Sequence, residues 1–323
     1  MVPDLVQEAA ATAGVATEPR DWSVVGDYTH LVLASPDLVL KFWRSEAKQR
    51  VDTIAHRLAA SQVPVPPLLA AGHVRAPADG CLTSRFPVRQ GQMVPFSLYR
   101  RVPGARPAEE ASAGWSAAAR RRAYRQAGAW LRALHDVRCF ERAGPLAATG
   151  GDCQGVAEDW CSFLLDTILR WDVETARHAL PRQDRRLRRQ VRNWLIDQLP
   201  RAAGAVDRLV LCHRDYSFRN LLAGPDGDLV AVIDFESAVA GDPVFDWHRI
   251  AAELLCRRPD EGCWQAFLEG YGAGDAEPAR EERLLAYLGL YGVTAMGYAL
   301  REDDAKFYAE AVQLMAWVAA RVA

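Results

Sequence analysis

The sequence predicts an α+β fold of two lobes, a small β-rich lobe followed by a larger, mainly helical one. Three observations lead there. Runs of β-forming residues at 24–42, 81–88 and 93–100, with turn residues between them, crowd the first hundred positions. Beyond Pro103-Gly104, apolar residues recur at helical spacing over long stretches. Two short apolar runs, Leu209–Cys212 and Leu229–Ile233, interrupt the helical part, and each leads into a loop bearing carboxylates. Asp215 and Asp234 are thereby expected to face one cleft. With 323 residues the chain is long enough for both lobes. The expected division is 1–102 and 103–323, with a hinge at about 100–103.

Each element follows in order. From Val24 to Phe42 two β-rich runs flank Ser35-Pro36-Asp37, which is hairpin-turn chemistry. Lys41 closes the second run. Only Lys41, Lys48 and Lys306 are lysines among 39 basic residues, so a lysine kept at a strand end points to a need for a compact ammonium rather than a guanidinium fork. A helix is expected over about 45–61, with Ala47, Val51, Ile54, Ala55 and Leu58 as its apolar face. Val63-Pro64-Val65-Pro66-Pro67 excludes helix, because proline lacks the amide donor and restricts the residue before it. Strands at 81–88 and 93–100 lead into the hinge.

In the second lobe, Ala117–His135 has apolar residues at 123, 127, 130, 131 and 134, a buried helix face. The segment 150–199 holds Glu158, Asp159, Trp160, Asp166, Trp171 and Asp172. Carboxylates beside tryptophan suit a cationic or sugar-bearing ligand, and equally an amphipathic helix with a solvated rim. Six arginines between Arg182 and Arg192 interleave with Leu187, Val191, Trp194 and Leu195, which favours a solvated helix face over a nucleic-acid patch. Helices at 249–256, 263–271 and 281–300 and a last one from Asp304 complete the lobe.

Composition narrows the classes of function. A formal charge of −2 gives no general attraction to nucleic acid or anionic membrane, and half the residues are apolar with a quarter charged, as in soluble globular proteins. The first twenty residues lack the basic start and apolar core of a signal peptide, and the late uncharged run 284–300 is too short for an ordinary membrane span. Seven cysteines form no C-x-x-C pair, which points to free thiols in a reducing compartment. A cytoplasmic protein, monomeric or a weak homodimer, is expected.

The chemistry concentrates between 209 and 247. His213, Asp215 and Asn220 form H-x-D-x-x-x-x-N; Asp234 opens Asp234-Phe235-Glu236, and Gly241-Asp242-Pro243-Val244-Phe245-Asp246 follows. Phosphoryl transfer needs an aspartate near the acceptor hydroxyl, a second on the metal and an amide oxygen completing the metal shell. These motifs resemble those of the aminoglycoside phosphotransferase and choline kinase branch of the protein-kinase-like fold. Protein kinases carry D-F-G, and here no A-P-E follows.

The resemblance implies Asp215 as base or orienting carboxylate, Asn220 and Asp234 as Mg²⁺ ligands, and Asp246 as a support for the catalytic loop. It places Gly26-Asp27-Tyr28-Thr29 at the phosphate-covering loop, with Thr29 near the nucleotide, and matches Lys41 to the lysine that contacts the donor phosphates. Backbone groups near Arg100 and Val102 would meet the purine. The partner of Lys41 from the following helix stays open between Glu46 and Asp52.

The expected partners are a nucleoside triphosphate, ATP or GTP, and a small hydroxylated acceptor. That acceptor is foremost an aminoglycoside, nucleoside or peptide antibiotic met by a resistance or self-protection enzyme. A metabolic kinase acting on choline, a sugar, homoserine or methylthioribose is the alternative, and a catalytically silent nucleotide-binding protein the second.

Overall fold

The computed structural model describes residues 2–15, 21–26, 30–83, 86–149, 152–274 and 278–322. In chain order its elements begin with α1 (Val2–Thr12), β1 (Ser23–Gly26), β2 (Leu31–Ala34), β3 (Leu38–Phe42), α2 (Glu46–Ala59), β4 (Leu68–Arg75), β5 (Gly80–Thr83), β6 (Phe86–Val88) and β7 (Met93–Arg100). There follow β8 (Arg106–Pro107), α3 (Ala108–Ala111), α4 (Ala117–His135), β9 (Cys139–Phe140), β10 (Ala143–Thr149), β11 (Asp152–Ala157), α5 (Trp160–Thr175) and α6 (Arg182–Gly204). The remainder comprises β12 (Leu209–Cys212), β13 (Leu221–Ala223), β14 (Leu229–Val232), β15 (Val239–Gly241), α7 (His248–Ala251), α8 (Glu261–Tyr271), α9 (Pro278–Glu302) and α10 (Ala305–Val322).

The chain forms two compact units, Met1–Ala113 with Arg219–Ser237, and Gly114–Phe218 with Ala238–Ala323. The first unit runs past residue 102 and includes a hairpin from much later in the sequence. Strand β13 pairs with both β14 and β8, and the Val232 amide donates to the Pro64 carbonyl at 2.9 Å. Asn220 and Asp234 therefore belong to this unit and Asp215 to the other.

The first unit is built on an antiparallel sheet of order β1-β2-β3-β7-β4. Strand β3 alternates, burying Leu38, Leu40 and Phe42 in the core while Val39 and Lys41 lie on the opposite, half-covered face. Helix α1 closes the core with Leu5, Val6 and Ala9. Neither α1 nor β4 was expected from the sequence.

Helix α2 corrects the expected packing. Its buried face is Gln49, Asp52, Ala55, His56 and Ala59, whereas Ala47 is exposed. Three polar side chains are tolerated there because each is bonded. Gln49 donates to the Phe96 carbonyl (2.7 Å) and the Gly72 carbonyl (3.1 Å), His56 meets the Pro66 carbonyl (2.8 Å), and Asp52 accepts from Tyr99 Oη and the Phe235 amide.

The second unit holds a sheet of order β11-β10-β15-β12-β9 among helices. Helix α4 spans the expected residues and starts at Ser116, whose hydroxyl accepts from the Ala119 amide. It packs on α8 with backbones in contact. A Cβ on Gly128 would lie 2.1 Å from the Phe267 carbonyl oxygen, and one on Gly270 would lie 1.9 Å from that of Arg125. Helix α9 is buried along most of its length and packs against α5, α6 and α10.

The arginine-rich helix α6 is partly solvated, as expected, but Arg188 and Arg192 are clamped to Asp172 of α5 at 2.8 and 2.7 Å. That pairing commits Asp172 to helix packing. No helix among the described residues is long and apolar enough to cross a membrane.

Candidate active site

In the first unit the site begins at Lys41. The register of β3 opposite Ser97 of β7 sets its backbone, and its ammonium meets Asp234 Oδ1 at 2.7 Å and Glu236 Oε2 at 3.1 Å. The same ammonium stacks over Trp43, 3.9 Å from the ring centroid. Only 12% of its side chain is exposed. Burial disfavours the charge, yet Asp234, Glu236 and Asp52 more than offset it and raise the Lys41 pKa.

Glu236 is the hub. Besides Lys41 it receives Lys48 on Oε1 at 2.6 Å and His30 on Oε2 at 2.7 Å. Burial pushes its carboxyl up, but Lys41, His30 and Lys48 overcome this and hold it well below the usual carboxylate range. Burial lowers the His30 pKa against the pull of Glu236.

Neither Glu46 nor Asp52 forms an ion pair with Lys41. Glu46 is half-exposed and pairs with Arg50 and, at 3.7 Å, with His73. Asp52 is 2% exposed, accepts from Tyr99 Oη at 2.5 Å and from the Phe235 amide at 2.9 Å, and feels Lys41 electrostatically. Burial pushes its pKa up to about 6, with Lys41 and Tyr99 opposing. Asp52 thus anchors the backbone of the D-F-E loop, and the direct ion pairs of Lys41 come from within that loop.

Asp234 adopts φ +69°, a conformation that side chains other than glycine rarely take. Among the described residues it commits only Oδ1, to Lys41. Asn220 is buried, and its backbone carbonyl accepts from the Ile233 amide at 2.9 Å, tying its loop to the approach to Asp234. Carboxylate and amide oxygens are the donors a hard divalent cation takes, so Asp234 and Asn220 fit Mg²⁺ chemically, whereas both oxygens of Glu236 are committed to Lys41, His30 and Lys48.

Of the other nucleotide-contacting residues expected from the sequence, Thr29, like Asp27 and Tyr28, lies outside the described residues. Arg100 ends β7 and its amide donates to the Pro67 carbonyl at 2.9 Å, which occupies that donor; the Val102 carbonyl accepts from the Ala105 amide at 3.3 Å.

In the second unit, Asp246 organises the loop bearing Asp215. Its carboxylate accepts from the amides of His213 and Arg214, both at 2.5 Å, and pairs with His135 at 3.2 Å. Burial raises the Asp246 pKa, and these partners reverse the effect. His135, Cys212 and Asp246 bring three ligand-type atoms within 4.8 Å of one another. Each is already bonded: His135 Nδ1 meets Tyr271 Oη at 2.8 Å, Cys212 Sγ donates to the Asp242 carbonyl at 3.3 Å, and burial pushes the thiol pKa up. The cluster is a loop anchor.

Asp215 itself is paired with Arg249 of α7 at 2.7 Å. Sequence reasoning missed this arginine, and also missed Glu236, Lys48 and His30. Lys48 carried a usable signal, being one of the three lysines in an arginine-rich chain.

Comparisons with known proteins bear on the fold. Over 98% of this chain and 99% of theirs, the fold matches a thermostable aminoglycoside phosphotransferase APH(4)-Ia at TM-score 0.70 and 16% identity. A choline/ethanolamine kinase family protein from Mesorhizobium loti matches at TM-score 0.61 and 20% identity, covering 98% and 94%. The GDP and kanamycin complex of APH(2″)-IIIa matches at 0.64 and 16%, covering 98% of both chains. No curated protein sequence matches the chain.

Fold and family comparison together define the class, a small-molecule phosphotransferase of the protein-kinase-like fold with an alcohol group as acceptor. The model of the phosphotransferase enzyme family (APH) matches residues 18–284, and the chain belongs to that family.

Proposed function

We propose that this enzyme transfers the γ-phosphoryl group of ATP or GTP to a hydroxyl of a small molecule, foremost an antibiotic in a resistance or self-protection role. The observation that carries the reading is Lys41 held at 2.7 Å from Asp234 and 3.1 Å from Glu236 on the D-F-E loop. A lysine so fixed presents a compact positive charge to donor phosphates, and Asp234 beside it keeps an oxygen suited to a divalent metal.

Asp234 and Asn220 would hold Mg²⁺; when bound, the ion supplies charge neutralisation on the phosphate oxygens. Asp215 orients the acceptor hydroxyl and takes its proton late in the transfer. Arg249 keeps the carboxylate in place meanwhile. Thr29 and backbone groups at Arg100 and Val102 complete the donor contacts.

A metabolic acceptor is the second reading. The arginine on Asp215 favours it, because a carboxylate already paired offers little uncompensated negative charge to a polycationic aminoglycoside.

The test is an ADP- and GDP-release screen over hydroxylated antibiotics and metabolites, with mass spectrometry for a phosphate-sized gain in the acceptor. Asp234→Asn, which tolerates the local φ and keeps an oxygen for Lys41, is expected to lower kcat by at least roughly 10²–10³-fold with a far smaller effect on the thermal midpoint. Near-normal turnover in that variant refutes the assignment.

A further inference from the structure

In the second unit Arg214 has a feature that the transfer chemistry does not use. It stands next to Asp215 at φ +68°, a conformation that costs a non-glycine residue about 1–2 kcal/mol. Glycine would sit there without strain. Other part-buried arginines of this unit are neutralised: Arg249 pairs with Asp215 at 2.7 Å, Arg257 with Glu253 at 3.0 Å and with Glu310, and Arg283 with Asp242 at 3.1 Å. The Arg214 guanidinium lies over the Phe163 ring, 5.5 Å from its centroid, and the one carboxylate that attracts it is that of the adjacent Asp215, which Arg249 already pairs.

Arg170 follows Phe163 by seven residues on α5, which puts the two on one helix face. Burial, then Arg170 and then Arg249, push the Arg214 pKa down to about 10. Arg214 is thus a partly buried cation crowded by other cations, and a bound anion relieves that crowding. A guanidinium fork over an aromatic wall suits a planar carboxylate or a phosphate. The carboxylate of Asp215 does not repel such a group strongly, because Arg249 already covers it.

We propose that Arg214, with Arg170 beside it, receives a carboxylate or phosphate group of the acceptor, so that the molecule phosphorylated at Asp215 is itself an anion. This rests on Asp215 being the acceptor-orienting residue.

The experiment is calorimetric titration of glycerol, glycerate and glycerol 3-phosphate, which share hydroxyls and differ in charge, into the full chain saturated with ADP and Mg²⁺. One of the two anions is expected to bind at least about tenfold more tightly than glycerol. The tighter one identifies carboxylate or phosphate as the recognised group. Arg214→Gly, which suits the local φ and so keeps the fold, is expected to erase the discrimination. Arg170→Ala should reduce it severalfold, and Arg189→Ala, at an exposed position on α6, should leave it unchanged.

Equal binding of all three compounds, no saturable heat with either anion, or discrimination surviving in Arg214→Gly would each overturn the proposal. Failure of the underlying transfer reading shows differently. Anion binding would persist while no hydroxylated compound drew ADP or GDP release from ATP or GTP.

Discussion

Asp52 shows how one carboxylate serves the site without touching a reacting group. Its two oxygens hold Tyr99 Oη and the Phe235 amide, so Asp52→Ala leaves two buried donors unsatisfied. We expect a loss of about 2–4 kcal/mol in urea unfolding, together with reduced kcat as the D-F-E loop loosens. Tyr99→Phe removes one bond of the pair and should cost only about 1 kcal/mol.

At this scale the sequence was partly readable. Lys41, Asp215, Asn220 and Asp234 stood out through motif spacing and through the rarity of lysine. Arg249 did not, because it lies 34 positions beyond Asp215 and no local pattern links a helix residue to a loop acid that distant in the chain. Glu236 stood in the third position of the motif, where protein kinases have glycine, and nothing in its spacing announced three cationic partners.

Among the elements, α4 and α8 pack so closely that glycine is obligatory at their crossing. Gly128→Ala would force a methyl group onto the Phe267 carbonyl and should destabilise the chain by about 2–3 kcal/mol or more, measured as a lower urea midpoint at unchanged slope. The α4 boundaries were legible because its apolar residues keep a regular period and Ser116 caps the start. The buried face of α2 was not. Periodicity scores hydrophobicity, and Gln49, Asp52 and His56 are buried through hydrogen bonds that only the tertiary structure supplies. The β10–β11 pair escaped for a related reason, since its glycine-, alanine- and proline-containing strands have little β-propensity of their own.

For the whole molecule, acid stability is set by buried groups of opposite effect. Burial drops His248 from 6.5 to about 4, so the unfolded chain takes up that proton first on acidification. Its contribution is full above pH 6.5 and is lost as pH falls towards 4. Asp52, raised from 3.8 to about 6, acts the other way: its contribution is present below 3.8 and lost as pH rises through 6. Thermal midpoints measured from pH 7 to 4 should therefore fall less steeply in His248→Asn than in the parent chain, and more steeply in Asp52→Asn. Parallel curves would refute the assignment of these two groups.

The hairpin of residues 219–237 has a consequence for how the protein is made. A ribosome delivers Lys41 almost two hundred residues before the acids that neutralise it, and β8 before the strand that completes its ladder. The first-synthesised unit therefore cannot mature in the order of translation. Its ammonium, buried in the finished fold, waits in solvent until residue 237 has emerged, and a nascent chain stalled short of that point would lack both of the lysine's counter-charges.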